Sequence, residues 1–162
     1  MEIFLIDNDV LVWLEKHFGL RAFEAMRDTK KVHVTRYIAK SEFAPRLGII
    51  KDKGARDRVL RCKEIVKKLV VKKALDLENA EGTAGCLGHT ERTIRWHEQL
   101  GGGDRNRNRG EATILALAEM LKEKGIEPII VTNDHGARNI ASVKQFQVIN
   151  AREFAKMLRL IR

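Results

Sequence analysis

Four carboxylic acids occupy positions where side chains do chemistry. Asp7 directly follows the apolar run EIFLI at 2–6, and Asp134 follows PIIVT at 128–132 by two residues. Glu111 opens a strongly periodic helical stretch, and Glu42 lies on a helical stretch after the short run KVHV at 31–34. If the two long apolar runs are parallel strands, Asp7 and Asp134 share one sheet edge, within reach of Glu42 and Glu111 on helices. Carboxylates gathered in this way repel one another unless a cation stands between them. Mg²⁺ and Mn²⁺ are hard cations that prefer oxygen ligands and keep several waters. One or two such ions would generate a hydroxide nucleophile and stabilise the charge on a phosphodiester. The spacing does not decide between one ion and two. Each acid also has a simpler reading. Asp7 and Asp134 suit N-caps, Glu111 suits the positive end of a helix macrodipole, and Glu42 suits a solvated helix face.

The elements that would position these acids alternate. A strand at 2–6 precedes a helix with Val10, Leu11, Leu14 and Phe18 at helical spacing, stopped by Gly19. A strand at 31–34 precedes a helix that Thr35 caps and that runs through Tyr37, Ile38 and Glu42 to about Leu47. Val59, Cys62, Val66 and Leu69 mark an amphipathic helix with a cationic outer face. Residues 70–77 are a candidate strand, 81–88 (EGTAGCLG) a glycine-rich loop, 90–100 a short helix and 101–110 an arginine-bearing connection. Glu111 then begins the clearest helix, with Ile114, Leu117, Ala118 and Leu121 as its buried stripe and Gly125 as its stop. Strand 128–132, a helix from Asp134 to about Val143, strand 146–149 and a terminal helix over 151–161 complete the chain. This order implies an α/β fold, a three-layer α/β/α sandwich around a mainly parallel sheet, built as a single domain over 1–162. In such sheets ligands bind beyond the carboxyl ends of the strands.

Composition narrows the partner. The chain of 162 residues carries 31 Lys+Arg against 22 Asp+Glu, a formal charge of +9. A basic surface around an acidic pocket suits a polyanion, because basic side chains release the counterions condensed on phosphates. Residues 51–73 alone hold ten Lys/Arg and three Asp/Glu. Arg105, Arg107 and Arg109 precede Glu111, and Arg138 follows Asp134 by one turn; all four are candidate phosphate contacts, since arginine binds phosphate bidentately. Trp13 and Trp96 are candidates for base stacking, with Trp13 also suited to the core. No apolar run reaches the length of a membrane span, and the N-terminus lacks the basic region of a signal peptide, so a cytoplasmic protein is expected. Cys62 and Cys86 form no zinc motif and read as free thiols, as His89, His97 and His135 read as surface residues.

Four segments resemble the motifs of the PIN-domain ribonucleases, in order and over residues 5–141. LIDNDVLV (5–12) is similar to the first, VTRYIAKSEF (34–43) to the second, RGEATILALAEM (109–120) to the third and VTNDHGARNIA (131–141) to the fourth. The resemblance implies a Mg²⁺- or Mn²⁺-dependent endoribonuclease. It implies ligation by Asp7, Glu111 and Asp134, assistance from Glu42, and support from Thr132 and Asn8. Asp9 stands where the family often has Asn, so it is either a further site acid or a helix-start residue. Small single-domain members are often the toxin of a toxin–antitoxin pair, and others process ribosomal or transfer RNA. RNA, an antitoxin protein and a second copy of the chain are therefore the implied partners. Phe154, Leu158 and Ile161 suit either a homodimer contact or the core. The stretch 51–103 matches no motif.

Two rivals remain. Asp7-Asn8-Asp9 also resembles the opening of haloacid-dehalogenase-type phosphatases, with Asp7 as nucleophile and Asp9 as general acid. That reading leaves Glu42 and Glu111 without roles. A non-catalytic RNA-binding module on the same fold would bind RNA equally with or without metal.

Overall fold

The computed structural model describes residues 2–35, 37–43, 53–69 and 109–162. Its centre is a four-stranded, all-parallel sheet in the order β2-β1-β3-β4, with β1 at Glu2–Ile6, β2 at Val32–His33, β3 at Glu127–Val131 and β4 at Gln147–Ile149. The two inner strands are the continuous apolar runs, as burial on both faces of a parallel sheet requires. Ile3–Ile6 and Pro128–Val131 are buried throughout, and the strands pair in register from Glu2–Glu127 to Ile6–Val131.

Helices carry the chain between parallel strands. Helix α1 spans Asn8–Phe18 and α2 spans Leu20–Thr29, joined at Gly19, whose positive φ of 59° makes it the end of one helix and the start of the next. A π-helix at Ile38–Phe43 follows β2, and α3 covers Lys53–Leu69. Helix α4 spans Arg109–Glu123, α5 His135–Val143 and α6 Ala151–Met157. Phe23 of α2 stacks on Phe43 of the π-helix, and Phe154 of α6 packs on Phe4 of β1. Trp13 is half-buried, packs against the core and stacks on His17.

Three helix ends share one device. After α4, α5 and α6 the chain turns through a left-handed residue, Gly125, Gln145 and Arg159 respectively. In each, the amide of that residue and the next donate back into the last turn: Gly125 to Lys122 and Ile126 to Leu121, Gln145 to Ser142 and Phe146 to Ala141, Arg159 to Lys156 and Leu160 to Ala155. These are Schellman motifs, and they return the apolar residue after the turn to the core.

Several expectations shift. The segment carrying Glu42 is π-helical over Ile38–Phe43, although Thr35 caps it as expected, its Oγ1 accepting from the Ile38 amide at 3.3 Å. The terminal helix stops at Met157 instead of running to Ile161, because Arg159 enters the left-handed region. Phe154 is buried in the core, with Leu158 and Ile161 packed partly against it. Helix α4 starts at Arg109, two residues before Glu111. Helix α2 was not expected from the sequence. Cys62 is a buried free thiol. The candidate strand at 70–77, the glycine-rich loop, the helix at 90–100, the extension to Leu47, Cys86, His89, Trp96 and His97 lie outside the described residues. Among the described residues no helix is long and apolar enough to cross a membrane.

Candidate active site

The carboxyl ends of the strands line up as Thr35 after β2, Asp7 after β1, Thr132 after β3 and Asn150 after β4. Asp7 is almost fully buried where β1 becomes α1, and its own amide still belongs to the sheet, donating to Val131 at 3.0 Å. Its carboxylate accepts from the Asn8 amide at 2.7 Å on Oδ1 and from the Thr132 hydroxyl at 2.8 Å on Oδ2. Those bonds favour the charged form, but burial and the neighbouring Asp9 and Glu42 outweigh them, and the carboxyl is pushed up to about 7.

Asp134 is exposed and caps α5, with Oδ1 accepting from the Ala137 amide at 3.0 Å. Thr132 is fully buried and joins the two aspartates: its hydroxyl donates to Asp7 and accepts from the Asp134 amide at 3.2 Å. Glu111, in the first turn of α4, is half-buried and hydrogen-bonded to the Asp134 carboxyl. Burial comes first, then Asp134 and Asp7, in pushing Glu111 up to about 8. Glu111 thus keeps its proton at neutral pH, in a place where a cation would relieve the repulsion from its neighbours.

Glu42 reaches the cluster from the π-helix, whose widened turn is a common feature of functional sites. Its carboxyl lies over the backbone of Gly110: a Cβ built there would fall 2.3 Å from Oε1 and 2.6 Å from Cδ and Oε2. A chain of hydroxyls ties the same two elements together. The Ile38 amide donates to Thr35, Thr35 pairs with Thr113 at 3.0 Å, and Thr113 donates to the Gly110 carbonyl at 2.7 Å. Because Thr113 spends its proton on Gly110, the Thr35 hydroxyl must be the donor between the two threonines.

Asp9 sits in the first turn of α1 and acts as a strut. Its Oδ2 accepts from the Asn133 amide at 3.0 Å, and the Asn133 side chain accepts from the Ala151 amide at the start of α6 at 2.9 Å. Its other oxygen is buried with no hydrogen-bond partner, as is Asn8 Oδ1. Burial raises the Asp9 carboxyl above its ordinary range despite the bond from Asn133. Such orphaned acceptors are what a cation or its waters would satisfy.

The donors are all oxygen, which fits Mg²⁺ or Mn²⁺. Among the described residues, no three His, Cys, Asp or Glu side chains stand close enough to enclose an ion. Mg²⁺ is commonly held by one or two carboxylates and its own waters, so an open arrangement suits it. Asp7, Glu111 and Asp134 are thus brought together electrostatically, with Glu42 and Asp9 flanking them. Arg138 lies half-buried on α5, one turn after Asp134. Arg109 begins α4, while Arg105 and Arg107 lie outside the described residues. His135 is exposed at the start of α5. Nothing in the sequence singles out Thr113, Gly110 or Asn133, and Thr35 reads there only as a cap; the Thr35–Thr113, Glu42–Gly110 and Asp9–Asn133 contacts join residues remote in the chain, so no local spacing signals them. Compared with protein-family models, curated proteins and solved structures, the chain matches none of them.

Proposed function

We propose that this chain is a Mg²⁺- or Mn²⁺-dependent endoribonuclease of the PIN type. The observation that carries the reading is the cluster of Asp7, Glu111 and Asp134 at the carboxyl edge of a parallel sheet, where burial first and neighbouring carboxylates second push Asp7 up to about 7 and Glu111 up to about 8. The chain's net charge of +9, with those acids included, suits a polyanionic substrate. The sheet and its helical crossovers fit the three-layer sandwich that the resemblance implies.

One or two of Asp7, Glu111 and Asp134 would hold the cation directly and the rest through its waters, with Glu42 and Asp9 flanking them. When bound, the ion supplies a more acidic water and neutralises charge on the phosphodiester. Thr132 keeps Asp7 and the Asp134 backbone in one frame. Asn8 fixes the Asp7 carboxylate from the backbone, leaving its own Oδ1 for a site water or the substrate. Arg138, one turn from Asp134, suits a phosphate contact.

The test is cleavage of a pool of structured and single-stranded RNA with Mn²⁺, Mg²⁺ or EDTA, wild type beside Asp7→Asn and Asp134→Asn. Cutting should need the metal and fall by several orders of magnitude in both variants, with circular dichroism unchanged. Cleavage at the wild-type rate by either variant removes that residue from the site. A folded wild type that binds RNA equally in EDTA and Mg²⁺ and never cuts it is a binding module instead.

A further inference from the structure

Helix α3 has no part in the carboxylate cluster, yet it is the most basic element among those described. Lys53–Leu69 carries seven Lys/Arg against two Asp/Glu. Its inner face is settled: Val59, Cys62, Ile65, Val66 and Leu69 are buried, and Arg58 pairs with Glu15 of α1 at 3.4 Å. The outward charges are sorted by sign. At 3.6 residues per turn, Lys53, Arg56, Leu60, Lys63 and Lys67 fall in one stripe without an acid. Asp57 and Glu64 fall beside it, interleaved with Arg61 and Lys68. Lys53, Arg56, Leu60 and Lys67 are exposed and Lys63 is half-buried. Leu60, 54% exposed in the middle of the stripe, is one of three large apolar side chains left to solvent among the described residues.

The helix is also placed to extend the site. It packs against α2 and the π-helix that carries Glu42. The Leu69 carbonyl, at its end, accepts from the Val34 amide at 3.1 Å, at the carboxyl end of β2. The last turn of α3 thus abuts the sheet edge that holds the carboxylates, and the stripe leads away from it for about 21 Å.

We propose that the stripe of Lys53, Arg56, Lys63 and Lys67 is a docking track for the RNA strand beyond the cleaved bond. The proposal rests on the nuclease reading. Four cations of one sign along a helix complement a regularly charged backbone, and Leu60 gives a base an apolar surface. An acidic protein is the poorer fit, because protein interfaces are depleted in lysine. Lys67 pairs with Glu64, beside the stripe, at 3.0 Å; that pair is exposed and weak enough to exchange for a phosphate.

The test is binding of a labelled single-stranded RNA in EDTA, followed by anisotropy over a range of salt, so that it does not depend on cutting. Wild type is compared with Lys53→Gln/Arg56→Gln/Lys63→Gln/Lys67→Gln. A control carries four equivalent losses elsewhere: Lys31→Gln/Lys124→Gln/Arg152→Gln/Lys156→Gln. Neutralising four phosphate contacts should flatten the log–log salt slope by about 3, and the control should change it by less than half as much. Equal slopes for the two variants, in an enzyme that still cuts RNA, overturn the track and leave the nuclease reading intact. A wild type that neither binds nor cuts RNA overturns both. Loss of poly-glutamate binding with RNA binding retained would make the stripe a protein surface and also overturn the proposal.

Discussion

The residue that most sharply separates stability from function is Gly110. Its backbone φ is not in the left-handed region, so alanine meets no conformational penalty there, and in a helix it is the better former. The added methyl would nevertheless overlap the Glu42 carboxyl, which would have to swing away. Gly110→Ala should therefore keep or slightly raise the thermal midpoint while lowering metal-dependent cleavage roughly tenfold or more, as a displaced site group does. A variant as active as wild type would show that Glu42 need not lie over Gly110. The clustered acids stand out in the sequence because Asp7, Glu111 and Asp134 each lie at a junction between apolar periodicity and a polar start. The groups that hold them do not. Thr35 and Thr113 are 78 positions apart and Thr132 and Asp7 are 125 apart, so their bonds exist only once the sheet has formed. Asp9 shows the limit from the other side: the sequence offered a further site acid or a helix-start residue, and its carboxylate in the first turn of α1 is also a strut to Asn133, which neither alternative included.

At the scale of elements, the three Schellman ends form an internal comparison. Gly125 meets nothing within 4 Å of a built Cβ, so Gly125→Ala tests backbone strain alone and should destabilise by about 1 kcal/mol. Gln145 and Arg159 bear that strain already. Gln145→Gly and Arg159→Gly should each stabilise by about 0.5–1 kcal/mol in urea denaturation, with the slope unchanged. No gain at Gln145 would mean that a contact of its side chain offsets the strain. Only Gly125 announced its helix end in the sequence; at Arg159 a long basic residue holds the left-handed position, and the helix read through it to Ile161. Helix α2 escaped notice for a related reason. Gly19 marks where α1 ends, but α2 begins straight after it with no side-chain cap, so nothing marks the start of a second helix. The π-helix escaped because over so short a run its apolar positions match an α-helix; it packs against α1 and α3.

At the scale of the whole molecule, alternation of strands and helices was enough to imply a parallel sheet, but not its order. That β1 lies between β2 and β3 follows from pairing across more than a hundred residues, and it is this order that puts Asp7 beside Thr132. The sheet thereby buries a carboxyl group at its centre, and the stability of the metal-free protein should record it. Asp7 is raised to about 7 and Glu111 to about 8. In the unfolded chain both return to the ordinary carboxylate range near 4. Between pH 4 and 8 the folded protein therefore keeps protons that the unfolded chain has released, and linkage makes stability fall as pH rises through that window. The ceiling is about 1.4 kcal/mol per pH unit for each group, or roughly 3–5 °C in thermal midpoint for a domain of this size. Because histidines titrate in the same window, the cleaner readout is a difference: in EDTA, the midpoint of Asp7→Asn minus that of wild type should grow from pH 5 to pH 8. Asparagine cannot ionise, and it keeps an acceptor for the Asn8 amide. A cation that binds the deprotonated cluster should erase that gain, raising the wild-type midpoint most at pH 8 and hardly at pH 5, with little effect on the variant. A difference that stays flat with pH, or a variant that Mg²⁺ or Mn²⁺ stabilises as much as wild type, would mean that Asp7 is not part of the cation site.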